Sequence, residues 1–395
     1  QGYGVTVIDS RENIGDKLCT GLVGEECFRR YPIDPGLVYR DISAASVIAP
    51  SSEVVRFETP SPVARVVNRV AYVSSFADRA TEAGAEYRLG HRVVRLDQCK
   101  DRVSVVTESG TTDARSLVLA TGFGSQLNRQ LGLGEPSDYV VGVQALVQTD
   151  SVDEVEVYLG RDVAPGFFAW LVPTQPGYAL AGLLVRKNAP ERFANFVSAR
   201  QMEGKITELV DKPSCWGIPL RPLRKTYANR VVVVGDAAGH VKPTTGGGIF
   251  YSLMASEVAS ETLQHALRED QLSANRLATY QKEWKSLLSN ELEVGYSARR
   301  MFEFLGDSHI SSLICQAGKN GFVSELAASP DVFFDWHSSM IGKIMGHPTL
   351  GGVLRLVNPL LARMAKPSGP TEIFAPEPAE AFSPETSMAE TGTPI

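Results

Sequence analysis

VVVVGDAAGHVKPTTGGGI, residues 231–249, is the stretch whose reading decides the fold. Four β-branched residues in succession, closed by Gly235, read as a strand buried on both faces, as in a parallel sheet covered on either side. The small residues that follow carry little bulk, so a large ligand can lie against the backbone. Asp236, at the end of the strand, is placed to accept hydrogen bonds from ligand hydroxyls. Gly246, Gly247 and Gly248 leave backbone N–H groups exposed just before a helix that begins at Ile249, and a helix N-terminus draws anionic or electron-rich groups. A buried strand with an Asp turn and a flexible loop would account for GDA alone. It leaves unexplained GDAAG, then Pro243, then three glycines, then a helix, so the stretch reads as a nucleotide-cofactor site.

A chain of 395 residues is too long for one compact core and is expected to form two intimately connected domains. A net charge of −6, with no block of Lys or Arg, argues against nucleic acid as a partner. Cys19, Cys27, Cys99, Cys215 and Cys315 are odd in number and lack the paired spacing of a zinc site. Neither a structural disulfide nor a metal is expected, and a reducing cytoplasmic compartment is. No apolar run reaches the roughly 18 residues that a transmembrane helix needs, and no signal peptide is seen.

Toward the N-terminus, VTVID at residues 5–9 is a strand ending in an acid. In a dinucleotide-binding βαβ unit the second strand ends this way, and its acid holds the adenosine ribose. A strand-terminal turn is the other reading of Asp9. The G-x-G-x-x-G turn that should come before it is missing, so the sequence is expected to lack a first βα unit of about 25 residues. Residues 11–24 read as a Gly-rich loop. Residues 42–56 alternate as an antiparallel excursion, and residues 64–97 read as a helix stopped at Gly84, then a strand near 92–96. Residues 103–107 and 114–120 read as a hairpin whose second strand runs into Ala120-Thr121-Gly122, a tight turn with no bulky Cβ.

Four β-rich runs follow, at 139–148, 155–160, 166–173 and 178–185, separated by turn residues as in an antiparallel sheet. Alternation along the third puts Phe168, Trp170 and Val172 on one face. Residues 192–210 read as an amphipathic helix. The Pro-free run 256–306 reads as helical scaffold. Residues 333–366 suit short helices that cap an apolar cavity or graze a membrane surface, with packing against the protein's own body as the favoured reading. The tail, 367–395, is rich in Pro, Glu, Ser and Thr and is expected to be disordered.

The order of strand, GDAAG, Pro, Gly-rich turn and helix resembles the C-terminal flavin-binding motif of FAD-dependent oxidoreductases of the aromatic-hydroxylase type. KPTTGGGI is more similar still to the geranylgeranyl reductase branch. PGFFAWLVP, residues 165–173, resembles that branch's P-x-x-Y-x-W-x-F-P substrate motif, keeping Pro165, Trp170 and Pro173 while placing Phe168 for the Tyr and Val172 for the Phe. The resemblance extends over residues 5–366. It implies an α/β fold: an FAD/NAD(P)-binding Rossmann-like three-layer domain in two parts, 1–136 and 223–305, with an inserted antiparallel-sheet substrate domain at 137–222. C-terminal helices would occupy 306–366, ahead of the tail.

The same resemblance implies an FAD enzyme whose reduced flavin passes hydride to C=C bonds of an isoprenoid chain on a lipid or other polar head. Its electrons would come from NAD(P)H or ferredoxin, and it would be cytoplasmic or peripheral to a membrane. By resemblance, Asp236 holds the ribityl chain, Gly248 and Ile249 lie beside the pyrimidine side of the ring, and Gly235 and Gly247 complete that motif. Thr121 and Gly122 match the short ATG turn, and Val94 or its neighbour Val93 passes the adenine. Arg69 is the best match to an Arg that opens a helix and reaches the cofactor, with Arg65 and Arg79 close by. Cys19, followed by Thr20 and Gly21, resembles a Cys loop next to the ring, where a thiol of lowered pKa relays a proton or tunes the flavin. A small inert hydrophobe is the other reading of Cys19. Phe168, Trp170 and Val172 would line the substrate slot, and the missing Tyr hydroxyl leaves proton delivery unassigned. An FAD monooxygenase or halogenase of the same superfamily, and a non-catalytic protein that binds apolar ligands, are the competing readings.

Overall fold

The valine run does form a strand, and its surroundings explain its composition. In the computed structural model, which describes residues 2–15, 19–319, 321–329 and 334–347, strand β19 (Val231–Val233) pairs in parallel with β11 (Leu117–Leu119) and antiparallel with β18 (Tyr227–Ala228). Val232 and Val234 pack with Phe250, Met254, Leu277 and Trp284 of helices α5 (Ile249–Arg268) and α6 (Ala274–Phe304). Val231 and Val233 face the other way, onto Leu96, Val103 and Val105. Those belong to a second sheet of β8 (Val93–Gln98), β9 (Val103–Thr107) and β10 (Gly110–Ala114). Helices, parallel pair and antiparallel sheet thus make three layers, and a strand in the middle layer must be apolar on both faces.

Around this centre, β1 (Val5–Ile8) pairs in parallel with β7 (Ala85–Arg88), which follows helix α2 (Arg69–Glu82). A small sheet in the order β2 (Leu22–Gly24), β6 (Ala64–Val67), β3 (Val38–Ile42) carries the short helix α1 (Glu25–Arg30). Helix α3 (Leu127–Gln130) leads away from β11.

The four β-rich runs are β12 (Tyr139–Gln148), β13 (Val155–Tyr158), β14 (Ala169–Pro173) and β15 (Tyr178–Val185). They form an eight-stranded sheet with β4 (Ala44–Ile48), β5 (Val54–Glu58), β16 (Glu208–Leu209) and β17 (Ser214–Pro219). Its path is β16-β12-β15-β14-β13-β4-β5, with β17 on β12, so the excursion at 42–56 extends this sheet. Helix α4 (Ala189–Met202) covers it with Phe193, Phe196 and Val197. The C-terminal helices are α7 (Asp307–Lys319), α8 (Phe322–Ala327) and α9 (Ser338–Gly346). The expected tail, 367–395, lies outside the described residues, as does much of 333–366.

Five local expectations are corrected. The helix expected over 192–210 ends at Met202, and residues 208–209 pair with β12 as β16; the loop expected to run to residue 24 becomes strand β2 at Leu22, paired with β6. The partner of β9 in its hairpin is β10, closed across Thr107 and Gly110, and residues 117–119 leave the hairpin to become β11. Residues 64–67 are strand, with β-branched Val66 and Val67 in the sheet, and the helix starts only where the Asn68 side chain accepts from Ala71 N at 3.1 Å. The polar run 85–88 is a strand because it pairs with β1, a long-range choice that its own pattern does not display.

One core residue ties stability to pH. His240 is fully buried, stands edge-on to Trp284 at 4.6 Å, and has no partner for either ring nitrogen among the described residues. Burial pushes its pKa down to about 3, from 6.5. The unfolded chain therefore binds a proton below pH 6.5 that the folded chain refuses, and stability falls as pH drops from there toward 3. Replacing His240 with Phe is expected to reduce that slope by up to about 1.4 kcal/mol per pH unit. Urea unfolding of both proteins between pH 7 and pH 4 checks this, and equal slopes would refute it.

Candidate functional site

Strands β11 and β19 end together. Val234 N–H donates to Leu119 O at 3.0 Å, so Thr121-Gly122 and Gly235-Asp236 leave neighbouring parallel strands at one carboxyl edge, where open α/β sheets bind ligands. Gly122 has φ +73° and open space where a side chain would begin, leaving room for a ligand against the backbone. The glycine turn folds back on the acid: a Cβ on Gly248 would lie 3.0 Å from Asp236 Oδ1. Lys242 N–H donates to Gly247 O (3.0 Å) and Gly246 N–H to Lys242 O (2.9 Å), closing the turn. Helix α5 starts at Ile249 as expected, and no side chain caps it among the described residues. Asp9 follows β1 and accepts from Arg11 N–H at 2.9 Å, while Val94 is exposed on β8.

A second group gathers around Cys19. Gly21 has φ +69°, its carbonyl accepts from Val67 N–H at 3.0 Å, and a Cβ there would meet Val67 O at 2.7 Å. That contact brings the Cys loop against the start of α2. Arg69 is the first residue of the helix and its guanidinium donates to Gly15 O. Of the three candidate arginines it is the one beside the loop. Arg65 is held by Glu25 and Asp41, and Arg79 lies over Phe76. A cavity of about 510 Å³ opens here, with Cys19, Thr20 and Arg69 on one side and Gln144, Leu146 and Leu180 of the large sheet on the other.

Cross-strand register shows how the sheet contributes. Gln144 pairs with Gly182 and Gly182 with Trp170; Leu146 pairs with Leu180 and Leu180 with Val172. Residues directly opposite share a face, so Phe168, Trp170 and Val172 stand on the face that walls the cavity. Trp170 and Val172 are themselves buried among sheet neighbours, and Phe168 packs partly buried against them. Glycines make this possible. A Cβ on Gly182 would run into the Trp170 indole, and one on Gly142 would lie 2.9 Å from Trp216 Cζ2. The same face continues to Ile218, whose Cδ1 would lie 3.1 Å from a Cβ on Gly246. One sheet face therefore reaches from the Cys loop to the glycine turn. Gln144, Leu146 and Leu180 were missed in the sequence, although alternation from Trp170 across paired strands is the signal that finds them.

A buried charge pair was missed as well. Lys242 Nζ donates to Phe334 O at 2.8 Å and lies 3.4 Å from Asp335 Oδ1, both side chains being buried. Asp335 Oδ2 accepts from Glu26 N–H and Cys27 N–H, each at 3.1 Å, at the start of α1. Gly24 leaves room for that carboxylate, which any side chain there would strike. His337 exchanges a hydrogen bond with Thr244 at 2.5 Å, and its backbone N–H donates to Glu291 of α6 at 2.8 Å. Residues 334–338 thus clamp the glycine turn from behind. Burial lowers the Lys242 pKa, against the opposing pull of Asp335. Burial, and then the Asp335 charge, push the Cys27 thiol up to about 12, so Cys27 is structural.

The residues fit a flavin dinucleotide. A glycine with open space, an acid at a strand end, a glycine turn and an uncapped helix start stand along one edge of the parallel strands. Among the described residues no group of three or more His, Cys, Asp or Glu could hold a metal ion.

Comparison with known proteins agrees with this reading. The family model for FAD dependent oxidoreductases matches residues 43–252, more than half of the chain. The chain is 27% identical over 338 residues to a digeranylgeranylglycerophospholipid reductase of Methanosarcina acetivorans, covering 79% of this chain and 82% of that protein. A geranylgeranyl bacteriochlorophyll reductase-like protein from Thermoplasma acidophilum superposes with a TM-score of 0.75 at 19% identity, covering 89% of this chain and 93% of that one. A flavin-dependent brominase superposes at 0.64 with 14% identity, covering 92% and 94%. At such identities the two structures share the fold, a mixed α/β FAD-binding architecture with parallel and antiparallel sheets.

The clamp has a measurable consequence. Asp335→Ala leaves the Lys242 ammonium buried without its counter-charge and is expected to cost about 3–5 kcal/mol in urea unfolding. Lys242→Met combined with Asp335→Leu is expected to cost much less than the two single changes together. Additive costs would show that the pair is not coupled.

Proposed function

The chain belongs to the FAD-dependent oxidoreductases, and on that premise we propose that it reduces C=C bonds of an isoprenoid chain carried on a lipid head. The observation that carries this reading is the cavity of about 510 Å³ between the Cys19 loop and the large sheet. Leu146 and Leu180 give it an apolar stretch of wall, and Val70 and Tyr178 line its outer part beside the polar Asn68, Thr174 and Gln175. The name of the Methanosarcina relative, a reductase of a lipid with two geranylgeranyl chains, supports the same substrate class.

When bound, FAD supplies a hydride to one alkene carbon, and the other carbon must receive a proton. The residues of the chain bind and orient. Asp236 takes the ribityl hydroxyls, Gly247, Gly248 and Ile249 the electron-rich edge of the ring, and Gly235, Thr121 and Gly122 the close backbone approach. Asp9, Val94, Gly21 and Arg69 complete the cofactor contacts. Cys19 lines the cavity and is the catalytic residue of this reading, holding the proton or tuning the ring through its thiol. Phe168, Trp170 and Val172 form and stiffen the sheet wall that excludes water from the chain. In this division the substrate domain is 137–222, whose sheet also takes β4 and β5 from within 1–136; the rest of 1–136 and 223–305 form the cofactor domain, and the described residues after 306 a helical region. NAD(P)H or ferredoxin supplies the electrons. No described helix is long and apolar enough to cross a membrane, and a cytoplasmic protein that meets its lipid at the membrane surface fits that observation.

The test supplies the FAD-loaded protein with a chemical reductant and a geranylgeranyl lipid and follows product mass. One hydrogen pair gained per bond reduced is expected. Cys19→Ala is expected to slow turnover by roughly 10²–10⁴-fold if the thiol carries the proton, with the flavin absorbance retained. Bound flavin that saturates no prenyl substrate would overturn the reading, and oxygen uptake with a hydroxylated product would favour a monooxygenase.

A further inference from the structure

Gln144 is 1% exposed, yet its amide is only half used. Its Oε1 accepts from Thr20 Oγ1 at 2.9 Å, while Nε2 has no partner among the described residues. Trp170 Nε1 is equally without a partner. The two residues flank Gly182 in register on one sheet face, their backbones about 10 Å apart across two strand spacings. The Trp170 ring lies over Gly182, with Cζ2 and Cε2 nearest to it. Buried polar groups are ordinarily satisfied, and the orphaned donor of a residue that lines a cavity needs an explanation. An amide N–H can only donate. The complementary chemistry is therefore an acceptor atom rather than more hydrocarbon.

Position within the cavity adds a direction. Tyr178 at the outer end of the sheet wall is exposed, and Gln144 at the inner end is buried beside Thr20 and Cys19. The apolar Leu146 and Leu180 lie between them. The sheet wall of the cavity is thus apolar at Leu146 and Leu180 and polar at its inner end, where Gln144 stands next to the loop that bears the thiol.

We propose that Gln144 determines specificity by donating, through Nε2 at the inner end of the cavity, to an ether or ester oxygen that joins the isoprenoid chain to its head. Rotation of the soft terminal amide torsion presents that N–H to the cavity without moving the strand. An oxygen fixed there registers the chain, so that the double bond nearest the head lies beside Cys19. This rests on the reading of the cavity as a prenyl-lipid site and adds which part of the lipid it recognises.

The test compares two ligands of equal chain length, a geranylgeranyl ether and the corresponding hydrocarbon, by equilibrium binding to the FAD-loaded protein. Gln144→Leu keeps the volume and removes the donor. It is expected to weaken the ether by about tenfold or more and to leave the hydrocarbon within about twofold. Gln144→Met, unbranched and without a donor, is expected to discriminate in the same direction and serves if Gln144→Leu does not fold. Equal weakening of both ligands would make Gln144 a support for the Cys loop and overturn the inference. So would an altered flavin spectrum in Gln144→Leu before any ligand is added, which would place the donor on the cofactor. A wild-type protein that binds neither ligand overturns the prenyl reading itself. A wild type that binds and reduces the ether while Gln144→Leu does so equally well overturns this inference alone.

Discussion

An ammonium group cannot be buried without a counter-charge, and the glycine turn of this protein carries one. Lys242 closes the turn with its backbone and sends its side chain inward, where Asp335 meets it. The carboxylate also accepts two backbone N–H groups of α1, and the neighbouring His337 and Ser338 donate to Glu291 on α6. Residues 334–338 therefore tie together three segments distant in sequence, the glycine turn, α1 and α6. Breaking such a pair leaves a charge stranded in low dielectric, which is why it fixes position more strictly than apolar packing does. The glycine turn is held in place because its charge is answered from behind.

The large sheet solves a complementary problem. It must lie flat over both the glycine turn and the Cys loop while carrying two tryptophans on that very face. Gly142 and Gly182 absorb the indoles, one opposite each, so the rings lie down against the strands. A strand glycine weakens pairing in isolation; here the aromatic ring restores the contact that the missing side chain forfeits. The wall stays thin enough for a cavity to remain between it and the start of α2.

What could be read in the sequence follows from what is local. The run 231–249 declared a doubly buried strand, an acid, a turn and a helix start, because each is written in contiguous residue types. The helix did begin at Ile249, and Arg69 does open a helix beside the Cys loop. The four β-rich runs appeared as strands because alternation and flanking turns are also local. Hidden from sequence were the choices made at long range. Residues 85–88 become strand only by meeting β1, and Lys242 acquires its partner 93 positions later. Gln144 carries no motif at all, and its importance comes only from standing one strand away from Gly182 and two from Trp170.

Two cysteines eight positions apart show why residue type alone does not settle chemistry. Cys27 sits inside α1, buried beside Tyr72 and pressed by the Asp335 charge, so its thiol holds its proton tightly. A thiol in that state neither attacks nor donates at ordinary pH. Cys19 lies in a loop that only Gly21 allows to pass so close to Val67, and its sulfur accepts the Gly21 N–H at 3.5 Å. It lines the cavity rather than the core. The glycine that follows it therefore does more than complete a motif: it directs one sulfur to the ligand space, and the helix that starts four residues later withdraws the other.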